Sequence, residues 1–118
     1  MSDLQCAATL LLVRPGTDPD SVLPELVRRR VSAVYCDGTT TAVRTAEPLA
    51  AATGVRLVTR GGLVETSTAE ELSGIADEHR GETVAVVART GLGRERAALL
   101  EVVMDADGWA VRSLTLPD

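Results

Sequence analysis

Aromatic side chains are nearly absent from this sequence. Of its 118 residues 2% are aromatic, with no phenylalanine, one tryptophan and one tyrosine. Hydrophobic residues still make up 45% of the chain, so leucine, valine and alanine have to form the core. Such a core suits helices packed on a buried, mostly parallel sheet. A chain of this length is expected to form a single domain spanning residues 1–118.

Cysteine and histidine are scarce as well. The two cysteines, Cys6 and Cys36, provide neither a disulfide framework nor the spacing of a metal site. We therefore expect free thiols, with Cys36 in a structural position, and neither a metal nor a cofactor. The single histidine, His79, is expected to be a partly exposed residue at the edge of the sheet opposite the candidate site.

The charge balance and the short apolar runs exclude two classes of protein. The net charge of −5 argues against nucleic-acid binding, which depends on clustered cations facing phosphates. No apolar run approaches the roughly 18 residues that a membrane span requires. The N-terminal apolar run follows Asp3 rather than a basic segment, unlike a signal peptide. We expect a cytoplasmic protein that binds neither nucleic acids nor membranes.

Strand and helix patterns alternate along the whole chain. Continuous apolar runs predict buried strands, which cover residues 8–14, 32–36, 55–59 and 83–88. Residues typical of helix starts follow each run and predict helices, which begin near Asp18, within residues 37–41, at a Thr68–Glu71 capping box and near Thr90. Two prolines constrain these helices: Pro24 fits only a first turn, and Pro48 should kink or split the second helix.

Residues 99–104 are compatible with two interpretations. They either continue the last helix or form a strand that pairs with the WAVRSLTL segment across turn residues 105–108. We favour a helix to about Met104, followed by an edge strand. The predicted fold is α/β, a three-layer sandwich in which helices flank a mostly parallel sheet of about five strands.

In such sheets, ligands bind beyond the carboxyl ends of the parallel strands. Three of these ends carry polar or glycine-containing segments, which are Arg14-Pro15-Gly16, Cys36-Asp37-Gly38 and Arg89-Thr90-Gly91. A site for a small ligand is therefore expected where these segments meet.

The same segments resemble motifs of the histidine phosphatase (phosphoglycerate mutase-like) superfamily. LLLVRPG resembles the first-strand motif that ends in Arg-His-Gly, and VYCDGTTTAVRTAEPLAAATG resembles the second strand and helix. The Leu63-Val64-Glu65 segment matches a later Leu-x-Glu element, and TVAVVARTG resembles the strand that carries the second catalytic histidine. DGWAVRSL is similar to the last strand. The resemblance touches most of the chain.

The resemblance implies a site that has lost its catalytic groups. In that family one histidine attacks phosphorus, while a second histidine and two arginines hold the phosphoryl group and a carboxylate handles the proton. By position, the nucleophile corresponds to Pro15, the second histidine to Arg89, and the second arginine to Thr41. Only Arg14 and Glu65 keep the expected residue type. We therefore expect no catalytic residues and a pseudoenzyme.

The length of one connection supports the same conclusion. The family usually carries a long helical insertion that covers the pocket between the Glu element and the last catalytic strand. Here only residues 66–82 intervene, which suffices for one crossover helix. The resemblance therefore implies a domain without the helical lid that would exclude water from the pocket.

Two interpretations of the remaining polar residues stay open. Arg14, Arg89 and Thr90, with helix N-termini nearby, have the chemistry to bind phosphate or sulfate without cleaving it, and Glu65 would complete the site. Alternatively, Arg14 or Arg89 pairs with Glu65 or Asp37 in a collapsed pocket.

Two functional hypotheses follow. The first is a pseudo-phosphatase that serves as a protein-interaction or accessory subunit, with a protein partner that the sequence does not identify. The second is a module, or a weak phosphatase, that binds phosphate or a phosphorylated metabolite through Arg14, Arg89 and Glu65. We favour the first. The uncovered edges of a small sheet are also compatible with a symmetric homodimer.

Overall fold

The computed structural model describes residues 7–61, 68–89, 99–105 and 108–114. These residues form six strands and three helices in an α/β arrangement. The strands are β1 (Ala8–Val13), β2 (Val34–Cys36), β3 (Leu57–Thr59), β4 (Thr83–Val87), β5 (Leu99–Asp105) and β6 (Gly108–Ser113). The helices are α1 (Pro19–Arg29), α2 (Thr40–Thr53) and α3 (Thr68–Glu78). None of the described helices is both long enough and apolar enough to cross a membrane.

The six strands form one mixed sheet in the order β3-β2-β4-β1-β5-β6. The pairs β3/β2, β2/β4 and β4/β1 are parallel, as predicted. The pairs β1/β5 and β5/β6 are antiparallel. The C-terminal hairpin therefore extends a four-stranded parallel sheet on one side, and the sheet has one more strand than the sequence pattern suggested.

Helices cover both faces of the sheet. On one face α1 and α2 pack against alternate residues of β1, including Leu11 and Val13. On the other face α3 contributes Leu72 and Ile75 to a second apolar cluster that contains Leu10. The predicted three-layer sandwich is therefore confirmed. Both clusters consist mainly of aliphatic side chains, which fits the near absence of aromatic residues.

The preference for a helix up to Met104 was wrong, because residues 99–105 form strand β5. The strand lies between β1 and β6, and Leu99 and Leu100 are buried on opposite faces of the sheet. A strand buried on both faces reads as a continuous apolar run, which periodicity cannot distinguish from a buried helix. The alternative interpretation, a hairpin with the WAVRSLTL segment, describes the structure. The helix predicted over residues 90–98 lies outside the described residues.

The prediction for Pro24 needs correction, and of the two outcomes predicted for Pro48, a kink or a split, the split is contradicted. Pro24 lies inside α1, beyond its first turn, and is exposed. Because proline has no backbone N–H, the helix lacks one hydrogen-bond donor at this position. Pro48 lies inside α2, which nevertheless runs unbroken from Thr40 to Thr53. The predicted capping box concerns the side chain of Thr68, which is outside the described part.

A buried carboxylate links α1 to the hairpin. Glu101 of β5 is 7% exposed, and its Oε1 accepts a hydrogen bond of 2.7 Å from Nε of Arg112 on β6. Arg29, at the end of α1, forms an ion pair with the other oxygen of Glu101 and a bond of 2.7 Å with Glu25. Burial by itself would raise the pKa of Glu101, but the hydrogen bonds from Arg112 and Arg29 prevail and lower it.

We predict that Glu101→Gln destabilises the protein at neutral pH and that the effect shrinks in acid. A carboxylate whose pKa is lowered by folding contributes stability above its unfolded pKa of about 4.3, and this stability is lost as pH falls through the folded value. Replacing charged hydrogen bonds by neutral ones should cost about 1–3 kcal/mol at pH 7. Urea denaturation at pH 7, 5 and 3 measures the difference from the unmodified protein.

Glu78→Gln is the matched control. The hydrogen bond from Arg60 lowers the pKa of Glu78 too, but the Glu78 side chain is 53% exposed, so solvent screens the pair. This variant should change stability less than Glu101→Gln at pH 7. An equal loss in the two variants would contradict the structural role assigned to Glu101.

Candidate functional site

The sheet register brings three of the predicted segments to one edge. Val13 lies opposite Val87 in the parallel pair β1/β4, and Cys36 lies opposite Val87 in the pair β2/β4. The residues that follow, Arg14, Asp37 and Ala88-Arg89, therefore leave the sheet at the same level. The candidate site lies at this carboxyl edge, as in other open α/β sheets.

The loop after β1 is fixed by a turn and by a contact with α2. The amide of Thr17 donates to the carbonyl of Arg14 at 3.1 Å, and Gly16 has a φ of 91°, which favours glycine. The amide of Gly16 donates to Oγ1 of Thr45 at 2.9 Å. The same hydroxyl donates to the carbonyl of Thr41 at 2.9 Å. Thr45 is buried and anchors the loop after β1 to α2.

The loop after β2 is organised by Asp37. Its Oδ1 accepts hydrogen bonds from the amide of Thr39 at 2.9 Å and from the hydroxyl of Thr39 at 2.7 Å. Thr39 in turn caps α2, accepting a bond of 3.3 Å from the amide of Ala42. Gly38 has a φ of 89°, and a Cβ there would lie 3.0 Å from Cγ2 of Thr59. Asp37 thus serves the turn, and no ion pair joins it to an arginine among the described residues.

The structure shows four of the six predicted site positions. Pro15 is half-buried, whereas Arg14, Thr41 and Arg89 are exposed. Arg14 and Arg89 follow neighbouring parallel strands, so their backbones are adjacent. Glu65 and Thr90 lie outside the described residues, and with them the predicted contacts of Glu65. Cys36 is a free, buried thiol with its Sγ 3.7 Å from Oγ1 of Thr59, which agrees with a structural role.

Sequence reasoning misjudged the environment of His79. This residue is 5% exposed, not partly exposed. One ring nitrogen, Nε2, lies 2.6 Å from the hydroxyl of buried Tyr35, and the other, Nδ1, lies 2.6 Å from Oε1 of Glu82. The sequence signal for this environment was Glu82, three residues after His79, because its carboxylate can accept a hydrogen bond from the ring. His79 precedes β4, at the edge opposite the candidate site, as predicted.

Tyr35 and His79 form a buried polar pair within the apolar layer under α3. Burial raises the pKa of the Tyr35 hydroxyl, and the nearby carboxylate of Glu78 raises it further. The hydroxyl therefore stays protonated and can donate to Nε2 of His79, while Glu82 accepts from Nδ1. This arrangement satisfies the buried polar groups and leaves neither ring nitrogen directed toward the candidate site.

Comparisons with known proteins show the fold. Neither a protein-family model nor a curated protein sequence matches the chain. Among solved structures, a phosphoglycerate mutase from Plasmodium falciparum superposes with a TM-score of 0.67 at 16% identity, covering 92% of this chain and 91% of that chain. YhfR from Bacillus stearothermophilus superposes with a TM-score of 0.74 at 14% identity, covering 90% and 96%. The predicted phosphoglycerate mutase-like α/β fold is therefore confirmed.

We predict that Thr45→Val destabilises the protein by about 0.5–1.5 kcal/mol, because the amide of Gly16 loses its part-buried acceptor and little space changes. Thermal and urea denaturation followed by circular dichroism measure the loss.

Thr53→Val is the matched control on the same helix. The hydroxyl of Thr53 also donates to the carbonyl four residues earlier, at 2.7 Å from the oxygen of Leu49, but no loop amide among the described residues donates to it. Thr53→Val should change stability by less than Thr45→Val. If the two variants are equally stable, the bond from Gly16 to Thr45 does not contribute to anchoring the loop after β1.

Proposed function

We propose that this chain is a catalytically inactive, histidine phosphatase-like domain that works as a protein-interaction or accessory subunit. The observation that carries the proposal is Pro15. It occupies the carboxyl end of β1, at the position that the resemblance assigns to the nucleophilic histidine, and a proline side chain has no nitrogen that can attack phosphorus.

The neighbouring positions support the same conclusion. Arg89 stands where the second histidine is expected, and a guanidinium stays protonated, so it cannot exchange protons as an imidazole does. Thr41 stands where a second arginine would offset the charge of the transferred group. One arginine position, Arg14, is kept. A site with this composition can attract an anion, but it offers no imidazole nucleophile for covalent transfer.

No other imidazole can take over this role, since His79 is the single histidine of the chain. It is 5% exposed and lies at the opposite edge of the sheet. Both of its ring nitrogens are within 2.6 Å of other side chains, Tyr35 and Glu82. A phosphorylated donor that reaches the carboxyl edge therefore meets no imidazole.

Two exposed apolar side chains are consistent with an interaction role. Trp109 on β6 is 40% exposed and Val27 on α1 is 56% exposed. Aromatic residues are enriched in the buried centres of interfaces, and Trp109 is the only tryptophan of the chain. Because Trp109 lies on β6, an outer strand of the described sheet, we favour the β6 edge as the surface that contacts a partner protein.

Anion binding is the second candidate function. Arg14 and Arg89 are both exposed and follow adjacent parallel strands, so the two cations lie at one edge of the sheet. Such a pair suits bidentate binding of phosphate or sulfate. This function requires no nucleophile and is compatible with Pro15.

We predict that the purified protein neither hydrolyses p-nitrophenyl phosphate nor forms a phosphoenzyme with acetyl phosphate. Phosphate release should equal that of buffer alone, because no imidazole is in reach at this edge. Intact-mass spectrometry under alkaline conditions, where phosphohistidine survives, detects any adduct. His79→Gln is the control for modification of the single histidine. Turnover that Arg14→Ala abolishes would contradict an inactive site.

We further predict that gentle affinity purification from the native host yields a partner protein in fixed stoichiometry, and that the Arg14→Ala/Arg89→Ala double variant retains it. The reason is that the interaction role does not depend on the vestigial site. Quantitative mass spectrometry of the purified complex measures the ratio. A protein that purifies alone, and that phosphate stabilises against heat in the unmodified form but not in the double variant, would favour anion binding instead.

A further inference from the structure

Strand β6 is the outer strand on one side of the described sheet. The amide of Leu114 donates to the carbonyl of Leu99 at 3.0 Å. This bond shows that every second residue of β6, counted back from Leu114, directs its backbone groups toward β5. Backbone groups in an antiparallel pair point alternately toward and away from the partner strand. The outward-pointing backbone groups are therefore those of Trp109, Val111 and Ser113.

The described residues of β6 carry few of the sequence features by which proteins usually prevent edge-to-edge pairing. Such features include proline, lysine, bulges and unpaired charges that point along the edge. The six residues of β6, GWAVRS, contain no proline and one charge, Arg112. Glu101 binds that guanidinium at 2.7 Å. Trp109 is 40% exposed, and Val111 is half-buried against the cluster under α3.

We propose that β6 pairs with β6 of a second copy of this chain, antiparallel about a two-fold axis at Val111. The sheet then continues across the dimer, and the outward backbone groups of each copy find their partners. This inference goes beyond the proposed function and does not depend on whether the site is inactive.

The register follows from the side chains. With the axis at Val111, Trp109 lies opposite the partner's Ser113, so each large ring faces a small residue. Arg112 lies opposite the partner's Ala110. An axis shifted to Arg112 would place two like charges directly opposite each other, which is destabilising. An axis shifted to Ala110 would leave Ser113 with no residue of the partner's β6 opposite it, because that strand begins at Gly108.

The other edge of the described sheet is a poorer candidate. Strand β3 has three residues, Leu57–Thr59, and a strand of that length offers few backbone groups for pairing. An interface formed by one short strand per copy is small, and small interfaces are weak. The dimer is therefore expected to depend on protein concentration.

Cysteine cross-linking tests the axis. In a Cys6→Ser/Cys36→Ala background, Val111→Cys should form a disulfide-linked dimer under mild oxidation, because facing residues of a hydrogen-bonded pair lie about 5.5 Å apart at Cα. Ser113→Cys is the matched control. Its two copies would be offset by about 13 Å along the strands, beyond the reach of a disulfide. We expect at least tenfold more cross-linked dimer for Val111→Cys.

A pair of charge variants tests the register independently. Ala110→Glu, facing the partner's Arg112, should strengthen self-association, and Ala110→Arg should weaken it. Two such pairs per dimer correspond to about a two- to thirty-fold change in dissociation constant in each direction. Sedimentation equilibrium of each single variant and of the unmodified chain measures the dissociation constant. Fluorescence of the single tryptophan, Trp109, should shift to shorter wavelength as concentration rises.

Three results would overturn the proposal. The first is a protein that stays monomeric at about 1 mM. The second is a dimer in which Val111→Cys and Ser113→Cys cross-link equally. The third is a dimer whose affinity the two Ala110 variants leave unchanged, since another surface would then hold the copies together. None of these results would alter the activity measurements, so a failure here is distinguishable from a failure of the proposed function.

Discussion

Strand β1 has to satisfy its backbone on both sides while both of its faces are buried, and the rest of the structure depends on this constraint. Ala8 and the four residues from Leu10 to Val13 lie in the core, where unpaired amides and carbonyls are costly. Parallel pairing with β4 places the loops after β1 and β4 at one edge. Antiparallel pairing with β5 adds the hairpin that carries Trp109.

The same arrangement separates two kinds of polar chemistry. At the carboxyl edge, Thr45 and Asp37 bind loop amides and shape the turns, while Arg14 and Arg89 are exposed. Beneath α3, Tyr35 and His79 form a buried pair with Glu82 at its outer end. The phosphoglycerate mutase-like fold is thus kept, while the one imidazole stabilises the interior and the edge presents cations. This division is the physical basis of the proposed non-catalytic role.

Most of the parallel half of the fold was predictable from local sequence. Strands β1 and β4 and helix α2 followed from continuous apolar runs, from the helix cap near Thr39 and from Gly54, which ends α2 in a left-handed conformation. The meeting of the three strand ends also followed, because parallel strands connected by helices place their carboxyl ends together. Local patterns did not predict β5, since a run buried on both faces has no diagnostic period.

By itself, the sequence determined the α/β class, the aliphatic core and the presence of proline at position 15 and arginine at position 89, because each depends on residue type or on near-neighbour pattern. Only the tertiary structure decided that His79 is buried, that Thr45 binds the loop after β1, that Glu101 links α1 to the hairpin, and that β6 forms an edge of the described sheet. Each of these depends on contacts between residues distant in sequence. Such contacts are set by how whole elements pack, which no local pattern encodes.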